Sequence, residues 1–142
     1  MVHQKLKIML IEDNPGDARI LQEELVESLK EDPTHVQIDL RWFNLLSTAL
    51  AYLSRGRFDT ILLDMNLPDS SGLDNIDKVR SVSPHIPIII LSGLKDELTM
   101  AEAIRRGAQN YVVKGSLKGN ELLRVISDAI ENQLKKMELQ AL

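Results

Sequence analysis

The sequence Thr60-Ile61-Leu62-Leu63-Asp64, continued by Met65-Asn66-Leu67-Pro68-Asp69-Ser70-Ser71-Gly72, decides the fold of this chain. A short apolar run bounded by turn residues is typical of a strand that is buried on both faces. The run ends on a carboxylate, Asp64, and the proline and glycine that follow predict a loop. Ligands of open parallel sheets bind beyond the carboxyl ends of the strands. We therefore expect Asp64 to lie at a functional edge of a sheet.

Length and composition favour one globular domain over residues 1–142, with 44% hydrophobic and 27% charged residues. The net charge of -4, without a cluster of Lys and Arg, argues against a nucleic-acid partner. No apolar stretch approaches the ~18–20 residues of a membrane span. Cysteine, which disulfides need, is absent. We expect a cytoplasmic protein that binds neither nucleic acid nor a membrane.

Short apolar runs alternate with amphipathic segments along the chain, which predicts a parallel sheet with helices on both faces. The predicted strands cover 6–11, 36–42, 60–64, 86–91 and 110–113. The predicted helices cover 15 to about 30, 45–54, 73–82, about 96–106, and a last segment from near 118 toward 137. The expected fold class is therefore α/β, a doubly wound five-stranded parallel sheet with five helices.

Polar side chains stand at the carboxyl ends of four predicted strands: Glu12 and Asp13, then Asp64, Ser92 and Lys114. Because these ends share one edge of a parallel sheet, we expect the side chains to converge. Three carboxylates repel one another unless a cation lies among them, and an oxygen-only set of ligands suits Mg²⁺. A phosphoryl group approaching this edge would meet the metal on one side and Lys114 on the other. Asp64 would then be the nucleophile, and Ser92 a hydrogen-bond donor.

Four motifs together resemble the receiver domains of bacterial and archaeal two-component response regulators. They are Ile11-Glu12-Asp13-Asn14, Leu62-Leu63-Asp64-Met65-Asn66-Leu67-Pro68 with Gly72, Leu91-Ser92-Gly93, and Gly107-Ala108-Gln109-Asn110-Tyr111 with Val113-Lys114. Each motif is weak alone, and the combination is specific. The resemblance covers about residues 5–130 and implies the CheY-like, flavodoxin-like fold with sheet order 2-1-3-4-5.

The resemblance also implies roles for the acidic residues. Glu12, Asp13, Asp64 and the backbone carbonyl of Asn66 would bind Mg²⁺. Asp64 would accept a phosphoryl group from a histidine kinase or a phosphotransfer protein. The chain would then be a signalling switch, and not an enzyme beyond its own phosphorylation and dephosphorylation.

Two further roles follow from the resemblance. Ser92 and Lys114 would contact the phosphoryl group. Ser92 and Tyr111 would be the switch residues, which reposition together and change the surface made by the fourth helix, the fifth strand and the fifth helix. That surface would bind a downstream protein.

The chain departs from the usual family pattern at several positions, of which Gly115, Glu12 and Ser92 concern the groups at the site. Gly115 follows Lys114 where many receivers have a proline with a cis peptide bond. A cis bond without proline costs ~2.5–4 kcal/mol, so we expect this bond to be trans or a tightly held exception. Glu12 replaces the commoner Asp and has a longer arm, which could reach the metal through water. Ser92 stands in place of the commoner Thr. The replacement keeps the hydroxyl group but removes a methyl group that restrains the side-chain rotamer.

Alternative functions use the same residues. A Mg²⁺-dependent phosphatase or phosphotransferase could act on a small molecule through an aspartyl phosphate. Such phosphatases carry the motif Asp-x-Asp-x-Thr, and Asn66 stands in place of its second Asp. A flavin carrier is disfavoured because carboxylates would face the flavin phosphate. A pseudo-receiver, which binds partners without phosphate, is disfavoured because the acidic residues and Lys114 are all present. Residues 70–130 also resemble receivers joined to sensor, kinase or cyclic-dinucleotide enzyme domains, so the chain could be part of a larger protein.

The last predicted helix is too long for the domain. At 1.5 Å per residue it spans roughly 30 Å, whereas a six-residue strand spans ~20 Å. An apolar stripe continues along the helix at a spacing of three and four residues: Leu123, Ile126, Ile130, Leu134 and Met137. We expect a C-terminal helix extension over about 131–142, whose Leu134 and Met137 contact a second chain in a homodimer. A frayed helix or a fold-back onto the domain is the alternative.

Overall fold

The apolar run around Leu62 forms the central strand of a parallel sheet. The computed structural model describes residues 5–118 and 120–141. The strands are β1 Lys5–Ile11, β2 Gln37–Phe43, β3 Thr60–Asp64, β4 Asn66–Leu67, β5 Ser70–Ser71, β6 Ile88–Ser92 and β7 Asn110–Val113. The helices are α1 Pro15–Lys30, α2 Leu46–Arg55, α3 Asp74–Val82, α4 Glu97–Arg105 and α5 Glu121–Ala141.

The main sheet has the order β2-β1-β3-β6-β7, and all of its neighbouring strands are parallel. If the two short strands β4 and β5 are left out of the count, this is the predicted order 2-1-3-4-5. The α/β class with five helices is also confirmed. All five residues of β3 are buried, as expected for a strand with helices on both faces.

The two helical layers divide the core, because successive residues of a strand point to opposite faces. Leu6, Ile8 and Leu10 of β1 pack with residues of α1 and α5. Met9 and Ile11 pack on the other face with residues of α2, α3 and α4. Burial of one such side chain stabilises the fold by roughly 1.5–3 kcal/mol. These two clusters hold the carboxyl ends of the strands at one edge.

Some boundaries differ from those predicted from the sequence. The strand expected over 86–91 begins at Ile88, because Pro87 has no N–H group to donate to a neighbouring strand. The carbonyl of Pro87 still accepts a hydrogen bond from the backbone N–H of Ile61 at 2.9 Å. The loop after β3 contains a two-stranded antiparallel hairpin, β4 and β5, which the turn residues did not predict.

The last helix begins at Glu121, later than predicted, and runs past Met137 to Ala141. Its start is preceded by a turn in which the backbone N–H of Lys118 donates to Oε1 of Glu121 at 2.8 Å. Gly119, in the predicted start, and Leu142, at the end of the predicted extension, lie outside the described residues. No helix within residues 5–118 and 120–141 is long and apolar enough to cross a membrane.

Asp69 ties the hairpin loop to α2. Leu45 precedes this helix and has no side chain that could cap it. Instead, Oδ1 of Asp69 accepts the backbone N–H of Leu46 at 3.0 Å, and Oδ2 accepts that of Ser47 at 2.8 Å. Burial alone would raise the pKa of Asp69, but these N–H groups outweigh it and lower the pKa. The loop that follows Asp64 is thereby fixed to a helix distant in sequence.

Replacing Asp69 by alanine should lower the free energy of unfolding by about 1 kcal/mol, since two N–H groups of the first turn of α2 lose their acceptor. Because the folded pKa is lowered, the carboxylate stabilises the fold above its ordinary pKa of 3.8, and this contribution is lost as the pH falls. Urea unfolding of wild type and Asp69→Ala at pH 7 and near pH 3 measures both effects. The control is Asp128→Ala, an exposed position on α5. An equal loss in both variants would contradict the capping role.

Candidate functional site

Lys114 lies at the centre of a cluster of carboxylates at the carboxyl edge of the sheet. Its Nζ is 2.8 Å from Oε2 of Glu12, 2.9 Å from Oδ2 of Asp17 and 3.0 Å from Oδ2 of Asp64. Glu12 and Asp64 are almost fully buried, and Lys114 and Asp17 are partly exposed. The structure therefore brings together three predicted residues, Glu12, Asp64 and Lys114, and adds Asp17.

The chain places Asp17 through the start of α1. Asn14 precedes the helix in an extended conformation, and its Oδ1 accepts the backbone N–H of Asp17 at 3.0 Å. Because α1 begins only four residues after β1 ends, its first turn lies directly over the edge of the sheet. The sequence signal for Asp17 was its position in that turn, where acidic residues also favour the helix dipole.

Burial and charge oppose each other in this cluster. Burial, together with the neighbouring Asp64, raises the pKa of Glu12 from 4.5 to about 7. Burial alone would lower the pKa of Lys114, but Glu12, Asp17 and Asp64 outweigh it and raise that pKa. Oε2 of Glu12 is buried and lies 2.8 Å from the ammonium group of Lys114. A buried oxygen of this kind is suited to a cation.

Asp64 is held through its backbone as well as its side chain. Its Oδ1 accepts the backbone N–H of Asn66 at 3.1 Å. From α3, Nδ2 of the fully buried Asn75 donates to the carbonyls of Asp64 and Met65, each at 3.3 Å. The sequence reasoning missed Asn75, which shows there only as a polar residue on the core face of a helix.

Asp13 and Asn66 lie at the same edge but remain exposed, and Asp13 forms no ion pair with Lys114. In the described part of the chain, no three Asp, Glu, His or Cys side chains form a ready-made metal cage. The expectation that Glu12, Asp13 and Asp64 cluster closely is therefore met only by Glu12 and Asp64. The available donors are still oxygen atoms alone, the type that Mg²⁺ prefers.

Ser92 and Tyr111 share a hydrogen-bond acceptor. Oγ of Ser92 donates to the carbonyl of Leu94 at 3.0 Å, and the hydroxyl of Tyr111 donates to the same carbonyl at 3.2 Å. The Tyr111 ring is buried, with 7% of its surface exposed. The two predicted switch residues are thus linked through one main-chain oxygen, and the carbonyl of Ser92 accepts the backbone N–H of Lys114 at 2.7 Å.

The peptide bond between Lys114 and Gly115 is trans, one of the two outcomes expected from the sequence. Gly115 has φ +79°, a left-handed conformation that side chains with a Cβ rarely adopt. Glycine therefore suits this position, and Lys114 reaches the cluster without a cis bond.

Curated relatives match most of this chain. The DNA-binding transcriptional activator DevR/DosR of Mycobacterium tuberculosis is 31% identical over 124 residues, which cover 87% of this chain and 54% of the relative. The methanogenesis regulatory protein FilR1 of Methanothrix harundinacea is 31% identical over 128 residues, covering 87% of this chain and 27% of the relative. The chain thus spans between about a quarter and about a half of the length of these relatives.

Solved structures share the fold. The signal receiver domain of an HD domain-containing protein from Pseudomonas fluorescens Pf-5 has a TM-score of 0.76 and 24% identity, covering 97% of this chain and 96% of that one. The receiver domain of the sensor histidine kinase PA1611 from Pseudomonas aeruginosa PAO1 has a magnesium ion in its active site cleft. Its TM-score is 0.71 at 23% identity, covering 92% of this chain and 99% of that one.

The family model described as response regulator receiver domain matches residues 8–127. This range contains every strand of the main sheet apart from the first residues of β1, and all of the carboxylates around Lys114. The chain therefore belongs to the response regulator receiver domain family of two-component signalling.

Proposed function

We propose that this receiver domain is a phosphorylation-dependent switch in which Asp64 accepts a phosphoryl group from a histidine kinase or a phosphotransfer protein. The proposal depends above all on the position of the Asp64 carboxylate, at the end of β3 and 3.0 Å from Nζ of Lys114. A receiver domain is not an enzyme beyond its phosphotransfer chemistry. In this proposal, phosphorylation acts by changing what the receiver domain binds.

Glu12, Asp13 and Asp64, with the backbone carbonyl of Asn66, would hold Mg²⁺ in this proposal. Two buried carboxylates, Glu12 and Asp64, lie at this edge, and such a pair of oxygen donors supports a cation there. Asp13 and Asn66 are exposed, which suits an ion that keeps several of its waters. The magnesium ion of the PA1611 receiver is a precedent in the same fold. Bound Mg²⁺ would neutralise negative charge on the phosphoryl oxygens.

In the transfer step, a carboxylate oxygen of Asp64 forms a bond to phosphorus while the bond from phosphorus to the donor's histidine nitrogen breaks. That nitrogen keeps the electron pair of the broken bond. The ammonium group of Lys114 stabilises charge on the phosphoryl oxygens, since Glu12 and Asp17 hold it at the edge of the site.

The shared acceptor supports a role for Ser92 and Tyr111 in the response. After phosphorylation, Ser92 would turn its hydroxyl from the carbonyl of Leu94 to a phosphoryl oxygen. The Tyr111 hydroxyl would then be left with this carbonyl alone, and the segment between β6 and α4 would settle in a second arrangement. A switch of this kind requires two states of similar free energy. The surface of α4, β7 and α5 would carry the change to a partner.

The C-terminal half of α5 supports a homodimer. Leu134 and Met137 expose 56% and 42% of their surface, and they border a groove of about 380 Å³ beside the segments that precede β3 and β6. The domain therefore covers only about half of each side chain, and the rest is free for another contact. Together with Ile130 and Ala141 they keep a spacing of four, three and four residues, the pattern of helices that pack in pairs. We propose that a second copy of this chain contacts Leu134 and Met137.

Treatment with acetyl phosphate and Mg²⁺ should add one phosphoryl group to the wild-type chain, as measured by intact-protein mass spectrometry. Asp64→Asn should abolish this gain in mass because an amide is not nucleophilic enough to attack phosphorus. Asp39→Asn, an acidic residue on the edge strand, serves as the control and should behave as wild type. An unchanged gain in Asp64→Asn would refute the assignment. Release of many phosphates per chain from a small phosphomonoester would instead favour a phosphatase.

Mg²⁺ affinity should rise with pH, since the metal binds ionised Glu12 and the pKa of this carboxyl is about 7 in the metal-free protein. Coupling to one proton gives a dissociation constant about tenfold lower at pH 8 than at pH 6. The fluorescence of Trp42 can report binding, because its indole N–H donates to the carbonyl of Glu12 at 2.7 Å.

Glu12→Gln should remove this pH dependence and weaken binding at pH 8. The matched control is Glu24→Gln, because burial also raises the pKa of Glu24, which makes no ion pair with Lys114. If Glu12→Gln keeps the full pH dependence, then another group couples proton release to metal binding.

Light scattering should show a dimer for the wild-type chain. The double variant Leu134→Glu/Met137→Glu should be a monomer, because the glutamates of two copies would face and repel each other along the stripe. Leu139→Glu is the control, since Leu139 is 72% exposed but lies off this stripe. The measurement is repeated after phosphorylation. A monomer under both conditions would contradict the dimer and favour a frayed or isolated helix end.

A further inference from the structure

A second surface, separate from the carboxylate cluster, lies at the outer edge of the sheet. It is a groove of about 460 Å³ between the start of β1, the edge strand β2 and the end of α2. We call it the edge groove, and its main lining residues are Lys7, Arg41, Phe43, Tyr52, Arg55 and Phe58. None of these residues belongs to the site proposed for phosphorylation.

Aromatic residues concentrate in the edge groove. The chain has one Trp, two Tyr and two Phe, and four of these five border the groove, Trp42 included. Tyr52 and Trp42 expose 57% and 42% of their surface. Large aromatic side chains that stay in contact with water, beside one another, are typical of a surface that another molecule covers.

The edge groove is also basic, although the chain carries a net charge of -4. Lys7, Arg41 and Arg55 line it, and its described lining includes no Asp or Glu. Asp39 lies nearby, with Oδ1 3.2 Å from Nε of Arg41, but an ion pair this exposed contributes little. Arg55 forms no ion pair with any residue within 5–118 and 120–141. The groove therefore has unpaired positive charge to offer an anionic partner.

The arrangement of the rings argues against a nucleotide. Nζ of Lys7 lies 4.7 Å from the ring centre of Phe58 and occupies one face of that ring. Phe43 packs on Tyr52 with ring centres 5.0 Å apart and a tilt of 51°, so the pair leaves no parallel slot for a base. Trp, Tyr and Arg are, in contrast, the residues that most often dominate the energy of protein interfaces.

We infer that the edge groove docks an acidic segment of a partner protein. Carboxylates of that segment would pair with Arg41 and Arg55, and an apolar side chain would pack on Tyr52. The opposite charges of groove and segment would speed the encounter and set the orientation. Within residues 5–118 and 120–141, β2 pairs only with β1, so the outer edge of this strand, which supplies Arg41 to the groove, has no strand partner. This docking does not require phosphorylation of Asp64.

The test uses random 12-residue peptides displayed on phage, selected on the immobilised wild-type chain and counter-selected on Arg41→Glu/Arg55→Glu. The selected peptides should be enriched in Asp and Glu around an apolar residue. As synthetic peptides they should bind about tenfold or more weakly to the double variant and to Tyr52→Ala. The affinity for wild type should fall as salt rises.

Controls separate this proposal from folding defects and from the phosphorylation switch. Arg124→Glu/Lys136→Glu makes the same change of charge on α5 and should bind the peptides as wild type does. Asp64→Asn should also bind them fully, whatever its phosphorylation result. Circular dichroism melting of each variant shows whether it is folded. If Arg41→Glu/Arg55→Glu unfolds the chain, Arg41→Lys/Arg55→Lys, which keeps both charges, should still bind the peptides.

Several results would overturn the proposal. One is a set of selected peptides without an acidic excess, or peptides that bind the Glu double variant as tightly as wild type. Another is displacement of the peptides by ATP or by a single-stranded oligouridylate. If Tyr52→Ala also loses binding of that probe, the groove is assigned to nucleotides. Light scattering that shows association of wild-type copies, abolished by the Glu double variant, would assign it to a second copy of this chain.

Discussion

The carboxyl edge of this fold depends on the ammonium group of Lys114. Glu12 and Asp64 are almost fully buried, and ionised carboxylates so close together would repel one another strongly without a positive charge between them. Nζ of Lys114 provides that charge at 2.8–3.0 Å from three carboxylates. Removing one partner of a buried pair leaves the other uncompensated, which is more costly than the pair itself is stabilising. The four side chains are therefore best regarded as one electrostatic unit.

The rest of the architecture serves to hold this unit in place. Two apolar clusters, one on each face of the sheet, fix the ends of β1 and β3 in register. Asn75 binds the backbone at Asp64 from α3, and Asp69 ties the loop after β3 to α2. The first turn of α1 brings in Asp17. The edge groove lies beside β2 and the end of α2, and it borders the site through Trp42, whose indole N–H donates to the carbonyl of Glu12.

The sequence predicted well what depends on local pattern. Apolar runs that end in Asp64, or just before Glu12 and Lys114, identify strands and place those residues at one edge, because parallel strands end together. Asp17 and Asn75 were missed because their roles depend on how helices pack over that edge, which no periodicity records. Asp69 was missed for a similar reason, since it caps a helix 22 residues away in the chain. Asp13 is exposed and forms no ion pair with Lys114, so its role as a metal ligand stays a prediction from its motif.

The link between Ser92 and Tyr111 passes through the main-chain carbonyl of Leu94 rather than through a side chain. A peptide carbonyl is present whatever residue stands at this position, so a substitution of Leu94 does not remove the shared acceptor. The Leu94 side chain, 76% exposed, is correspondingly free to vary. Position 94 can thus carry a different side chain, and so a different surface, while the carbonyl that Ser92 and Tyr111 share is kept.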